Sequence, residues 1–560
     1  MIFFAAFSIG CRSSAEKSDS AEENTPTYYQ DIAPLLYNNC SGCHKEDGLN
    51  PNLLFFTAES AVQLAPVLNA AIQAERMPPF MARESEECEN PWGFLHDPRL
   101  SAAQKEMMQA WIDAGTPLGD EASATALTEP SSQTLDGDVH ILTPLGGYTT
   151  SPIGNTKDEF ICYSLDPNQS GWLEAFEVLP DNASVVHHVL VGIDNEGESA
   201  AIADADSRYP CFGGFGVSNT TFVGGWVPGA SPTKMPEYSA VKVPEGARIV
   251  LQMHYHLIET AEQDKTGIAL QWAENPPIRQ SFFALIGNSA TAIDADNGLV
   301  TTSDDQTFLI PAGAENHTET MRYSLFENLS RGIDIFLVSN HMHYVGERMR
   351  MWIEGENDTC LLDTPEWDFN WQQSYFYDAN NQNNPTVSPG DQLWISCTYN
   401  NSLSNSDLID VLAENNTAEP IPVGLGEGSL DEMCLGVFGF TPQLTYKHEN
   451  PTHAGALDVS ISASGFVVAE CLGVASIHEG DNMEANAACG LVLEENLISL
   501  EFALRNDTFT IKIPLVQEEP QEMDWTISSE GENRTLSFEG NVTTQQGTFW
   551  VEGNATLTPQ

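Results

Sequence analysis

Apolar residues recur every three or four positions from Tyr28 to about Leu118, in DIAPLLYNNC, ESAVQLAPVLNAAIQAE and SAAQKEMMQAWIDAG, a spacing that predicts helices. Past residue 139 that period gives way to alternation. Runs such as ARIVLQMHYHL, IDIFLVSNHMHYV and DQLWISCTY, broken by Gly, Pro, Asn and Asp, predict the short strands of β-sandwich or jelly-roll domains. From about residue 450, LDVSISASGFVVAEC, NLISLEFALR, TFTIKIPL, RTLSFEGNV and TFWVEGNATL predict one more small β domain. Polar stretches at 12–27 and 119–138 carry no period and read as tethers. The chain thus divides into a signal and tether (1–27), a small all-α domain (28–118), a linker (119–139), two all-β jelly-roll domains (140–282 and 283–449) and an accessory β domain (450–560).

Charge removes whole classes of function. With 22 Lys+Arg against 80 Asp+Glu the formal net charge is −58, which excludes nucleic-acid binding by phosphate neutralisation and disfavours anionic lipid. Hydrophobic residues at 41% suffice for real cores, so the acid is a solvated surface. The apolar run Met1–Gly10 is too short to span a bilayer. Gly10 before Cys11 fits a bacterial lipoprotein cleavage box, although Ser8 stands where leucine is usual and no basic residue precedes the run. On that reading Cys11 carries lipid, the protein is exported to the cell envelope (periplasm or surface lipoprotein), and the anchor is its membrane contact. Setting aside Cys11, Cys40 and Cys43 leaves eight cysteines, an even set suited to disulfides in an oxidising compartment.

Cys40-Ser-Gly-Cys43-His44 is the c-type haem attachment pattern, in which two thiols join the haem vinyl groups and the histidine takes the iron. A redox C-x-x-C is the competing reading, and the adjacent histidine argues against it. The opposite axial ligand is expected to be a thioether. Met77, in Arg76-Met77-Pro78-Pro79, is the first candidate and Met81 the second; Met107 and Met108 fall in a helical pattern and pack. The segment resembles a cytochrome c domain, which implies one-electron transfer.

The remaining chemistry lies in histidine pairs. His341 and His343 alternate on one strand face, as do His254 and His256, so either pair can chelate an ion. Adjacent His187 and His188 need a strand end or edge where both rings can turn inward. Each pair alone is weak. In order, however, Val186-His187-His188-Val189-Leu190, Val250-Leu251-Gln252-Met253-His254-Tyr255, His341-Met342-His343 and Asp431-Glu432-Met433-Cys434 resemble the copper type II, ascorbate-dependent monooxygenases, the family of the peptidylglycine α-hydroxylating and dopamine β-monooxygenases. The resemblance spans about residues 155–447.

It implies two coppers per chain. His187, His188 and His254 would hold an electron-transfer copper; His341, His343 and Met433 would hold the oxygen-activating one. Imidazole suits Cu(II) and thioether favours Cu(I), so a cycling site uses both. His256 has no counterpart and is open between substitute ligand, supporting group and exposed bystander. Gln252 is retained. The resemblance also implies the bridges Cys397–Cys434 and Cys162–Cys211; Cys471 with Cys489 would close a loop in the last domain, and Cys88 and Cys360 cannot be paired from sequence. The positions that anchor a peptide carboxylate in the peptidylglycine enzyme are here Ser339, Leu435 and Val437, so peptide amidation is not expected.

The implied activity is O2-dependent hydroxylation of an aliphatic C–H bond of a small molecule. The reductant is ascorbate or a redox partner, such as a donor protein or quinol chain acting through the fused haem. A copper and haem electron-transfer protein without hydroxylase activity is the alternative, and substrate-dependent O2 uptake separates the two. A scaffold whose metals only staple the fold would have no turnover to lose.

Overall fold

The computed structural model describes residues 25–45, 50, 52–127, 134–154, 158–287, 308–323, 332–355, 358–377, 384–415, 417–426, 428, 430–443, 453–463, 466–479, 483–493, 496–513, 520–544 and 547–559. Cys11 and the expected signal lie outside the described residues. The chain forms two compact units.

The first takes the described residues of Met1–Ser41, Leu54–Pro78 and Leu100–Pro130. Its helices are Ala33–Cys40, Ala58–Gln73 and Ala102–Asp113. Thr57 and Ser101 start the longer two with capping boxes, each accepting the backbone N–H three residues on. Ala61, Ala65, Leu68 and Ile72 on one helix and Met108 and Trp111 on another are buried at the spacing the sequence showed.

The second unit holds Gly42–Leu53, Pro79–Arg99 and the described residues from Ser131 onward. Residues 28–118, read from the sequence as one small helical domain, thus fall in both units. Phe80, Met81, Ala82, Trp92 and Phe94 have no helical period and bury themselves on a β core instead.

That unit contains three β bodies. In the first sandwich a five-stranded sheet runs Arg208–Tyr209, Asp158–Leu165, Arg248–His256, Val186–Asp194, Thr220–Trp226 in spatial order. It shares its core with a six-stranded sheet through residues such as Val189, Ile249, Phe176 and Ile268. In the second sandwich Phe282–Gly287, Leu435–Pro442, Ile333–His341 and Ser374–Phe376 lie side by side, facing a four-stranded sheet of His317–Tyr323, Gln392–Tyr399, Gly346–Glu354 and Thr359–Thr364. The last body, His453 to Pro559, is a closed barrel of eight sequential antiparallel strands. Its interior is apolar and packed around the rings of Phe502, Phe509 and Phe538.

Disulfides join Cys162 to Cys211, Cys397 to Cys434 and Cys471 to Cys489. The fourth, Cys88–Cys360, ties the Pro79–Arg99 strap to the second sandwich across 272 residues of chain. Four bridges fit an exported protein. Among the described residues no helix is long and apolar enough to cross a membrane.

Candidate functional site

His187 and His188 reach one metal-sized space because their strand is irregular. Its partner pairs Met253 with Val189 and His254 with His188, but then Tyr255 with Val186, so His187 is skipped. A bulge of this kind re-aims a side chain that regular pleating would send to the opposite face. The result is a triangle: the Nδ1 atoms of His187, His188 and His254 lie 3.3 Å from one another.

Three ring nitrogens so placed cannot satisfy each other. Whatever the protonation, at least one pair sets lone pair against lone pair or N–H against N–H. A cation at the centre removes the conflict. The centre of a triangle of that edge lies about 1.9 Å from each corner, close to the ~2.0–2.1 Å of a metal–imidazole bond. Among the described residues, these three histidines form a group that could hold a metal.

A carboxylate behind the triangle fixes the tautomer of His254. His254 Nε2 stands 2.9 Å from Asp158 Oδ1, which leaves Nδ1 bare for the metal. Phe160, opposite His254 on the neighbouring strand, stacks on its ring at 4.4 Å. Exposed His256 places Nδ1 3.5 Å from the same Asp158 oxygen, so it supports the carboxylate from outside the triangle. Burial alone would raise the Asp158 carboxyl, yet its hydrogen bonds to His254 and His256 hold it well below the usual carboxylate range. Burial pushes the His187 imidazole down to about 4, and His188 falls well below the ordinary value through burial and its neighbours His254, His187 and His341. Neutral rings are what a metal requires. Gln252, two residues before His254, is buried and donates to the Gly214 carbonyl.

The second cluster is organised the opposite way round. His341 ends its strand, and its Nδ1 is 2.7 Å from Gln372 Oε1. Gln372 Nε2 donates to the Phe369 carbonyl at 3.0 Å, so its amide oxygen must face the ring and accept. His343 Nδ1 donates to the Asp431 carbonyl at 3.1 Å. His341 therefore keeps Nε2 for a metal, while the His343 ring also meets the Gly428 backbone. Burial, then the neighbouring His343, pushes His341 down to about 3, and burial lowers His343.

Met433 is buried in the turn that closes on His343. The carboxylate of Glu432 accepts the backbone N–H of His343 and, through the same oxygen at 2.8 Å, that of Met433. Burial pushes the Glu432 acid up to about 8 against the pull of those amides and of Val345 and Gly346. Tyr399 donates its hydroxyl to the Met433 carbonyl at 2.9 Å, and the Cys397–Cys434 bridge pins the turn from behind.

Sequence reasoning missed Asp158, Gln372 and Phe369 and gave Glu432 no role. The run Asp368-Phe369-Asn370-Trp371-Gln372-Gln373, dense in aromatics and amides between strands, was the signal available.

The expected haem residues divide between the two units. Cys40 ends the helix Ala33–Cys40, and Met77, 36% exposed, follows the helix Ala58–Gln73; Cys43 and His44 group with the sandwiches. Neither cysteine enters a disulfide. His44 Nδ1 is 3.0 Å from the Leu53 carbonyl. Met81 is buried in the second sandwich, its sulfur taking the Asp368 backbone N–H at 3.1 Å, and Met108 is buried in its helix.

A search of curated proteins finds no match to the chain. Residues 298–448, which carry His341, His343 and Met433, match the family model of the copper type II ascorbate-dependent monooxygenase C-terminal domain.

Proposed function

We propose that this protein is a copper monooxygenase that hydroxylates a C–H bond of a small molecule with O2. His187, His188 and His254 would hold one copper, and His341, His343 and Met433 the other. Bound there, copper supplies the one-electron steps and O2 handling that hydroxylation needs. One oxygen atom enters the C–H bond, and the other leaves as water with two electrons and two protons from the reductant.

The carrying observation is the pair of opposed ring orientations: three Nδ1 atoms turned on one another in the first cluster, and Nδ1 turned outward to Gln372 and the Asp431 carbonyl in the second. Asp158 and Gln372 orient the rings, and Glu432 holds the second cluster's backbone. The thiols of Cys40 and Cys43, with His44 and Met77 as axial ligands, would carry a covalent c-type haem that delivers electrons beside or instead of ascorbate.

The test is metal analysis and an optical spectrum of purified protein, followed by 18O2 turnover. Two coppers and one c-type haem per chain, with label incorporated into an alcohol, support the reading. Copper and haem redox activity with no substrate-dependent O2 uptake would favour an electron-transfer protein.

A further inference from the structure

One aromatic ring lies near a histidine of each cluster. The Phe369 ring lies 6.3 Å from His187 of the first, within 22° of parallel, and 6.1 Å from His343 of the second, nearly perpendicular. The His187–His343 ring separation cannot exceed those two legs together. Tyr344 packs on Phe369 at 4.3 Å.

The ring is held, not draped. It opens the short turn Phe369–Trp371, whose flanks are pinned on both sides. Trp367 donates Nε1 to the His343 carbonyl, Gln372 reaches His341, and Gln373 Nε2 donates to the Pro79 carbonyl of the strap at 3.1 Å.

The strand face beside His341 carries no charge. His341 pairs across strands with Leu435 and Ser339 with Val437, so the four side chains share one face. Ser339 gives its hydroxyl to the Gln373 carbonyl at 2.9 Å, and Val437 packs into the core of the first sandwich. The side chains named here beside the histidines thus carry no charge.

We infer that the substrate is an uncharged, apolar C–H donor seated against Phe369, which makes this ring the specificity-determining residue. The inference rests on the monooxygenase reading. A carboxylate here would find no side-chain cation among Phe369, Ser339, Leu435 and Val437 to replace its lost hydration, so only the bound coppers could offset that loss. The negative face of the ring and the chain's net charge of −58 add to the penalty. An ammonium would sit between two bound metal cations.

The test uses three probes with one benzylic CH2 in common: ethylbenzene, 3-phenylpropionate and 2-phenylethylamine. Equilibrium binding to the copper-loaded, oxygen-free protein is measured first, and 18O2 hydroxylation separately. Ethylbenzene should bind at least about tenfold more tightly than either charged probe, and Phe369→Ala should weaken it about tenfold. Phe369→Leu, which keeps most of the volume, should fold, retain both coppers and lose part of that preference. No ethylbenzene binding, a preference for a charged probe, or binding indifferent to both substitutions overturns the inference. Phe369-dependent binding without hydroxylation counts instead against the monooxygenase reading and leaves the substrate class standing.

Discussion

The buried carboxylate of Glu432 accepts the backbone N–H of His343, 89 residues away in the chain, and with the same oxygen that of Met433. One side chain thereby registers the strand end carrying two histidines against the turn carrying the methionine.

Replacing Glu432 by Ala strands both amides in a buried setting, which costs about 1–3 kcal/mol for each. The Ala variant should lose copper at the second cluster and keep it at His187, His188 and His254. Glu432→Gln retains an acceptor oxygen and should retain both. Copper titration monitored by electron paramagnetic resonance reads this directly, and an Ala variant that binds two coppers at wild-type affinity contradicts the assigned role.

Asp158 acts on the other cluster through the far side of an imidazole. Asp158→Asn should weaken copper at the triangle about 10–100-fold, as loss of a carboxylate behind a ligating histidine does. The second cluster should be unaffected. Equal weakening at both would mean that the substitution loosens the sandwich as a whole.

Acid should destabilise the metal-free protein through the same histidines. His187 and His341 are held at about 4 and about 3 when folded and titrate near 6.5 when unfolded. Between pH 6.5 and about 4 the unfolded chain binds more protons, so stability is lost as pH is lowered, by up to about 1.4 kcal/mol per unit for each histidine. Glu432 works oppositely. Its folded value of about 8 stands above the ordinary 4.5, so its contribution is lost as pH rises between the two. Melting temperatures of metal-free wild type, His187→Gln and His341→Gln across this range should show shallower acid slopes in the variants. Coincident slopes would show that these rings titrate normally.

The sequence was legible where chemistry and period coincide in short runs. The helical spacing of Ala61 to Ile72 and the alternation around His254 and His341 were visible because local burial follows local pattern. The adjacent His187-His188 pair posed a question that its own segment could not answer: the bulge exists only in the register with Tyr255 and Val186. Asp158, Gln372 and Glu432 were illegible for the same reason, each meeting its histidine 96, 31 or 89 positions away. Cys88 could not be paired with Cys360 from sequence, since the strap leaves the helical segment to pack elsewhere. Alternation announced strands after residue 450, but the pairing of the first strand with the last, which closes the barrel, is a long-range contact.

Met433 tests the central claim most directly. A buried methionine beside a cystine ordinarily packs, and Met→Leu there costs under about 1.5 kcal/mol. As a copper ligand it supplies the soft sulfur that favours Cu(I). The measurement is X-ray absorption on the reduced, copper-loaded protein, wild type against Met433→Leu. The account predicts a copper–sulfur path in the wild type that vanishes in the variant, with the imidazole signal of the His187, His188 and His254 copper unchanged and substrate-coupled O2 consumption nearly lost. A variant that keeps the sulfur path, or that turns over like wild type, would contradict the copper assignment and the monooxygenase reading with it.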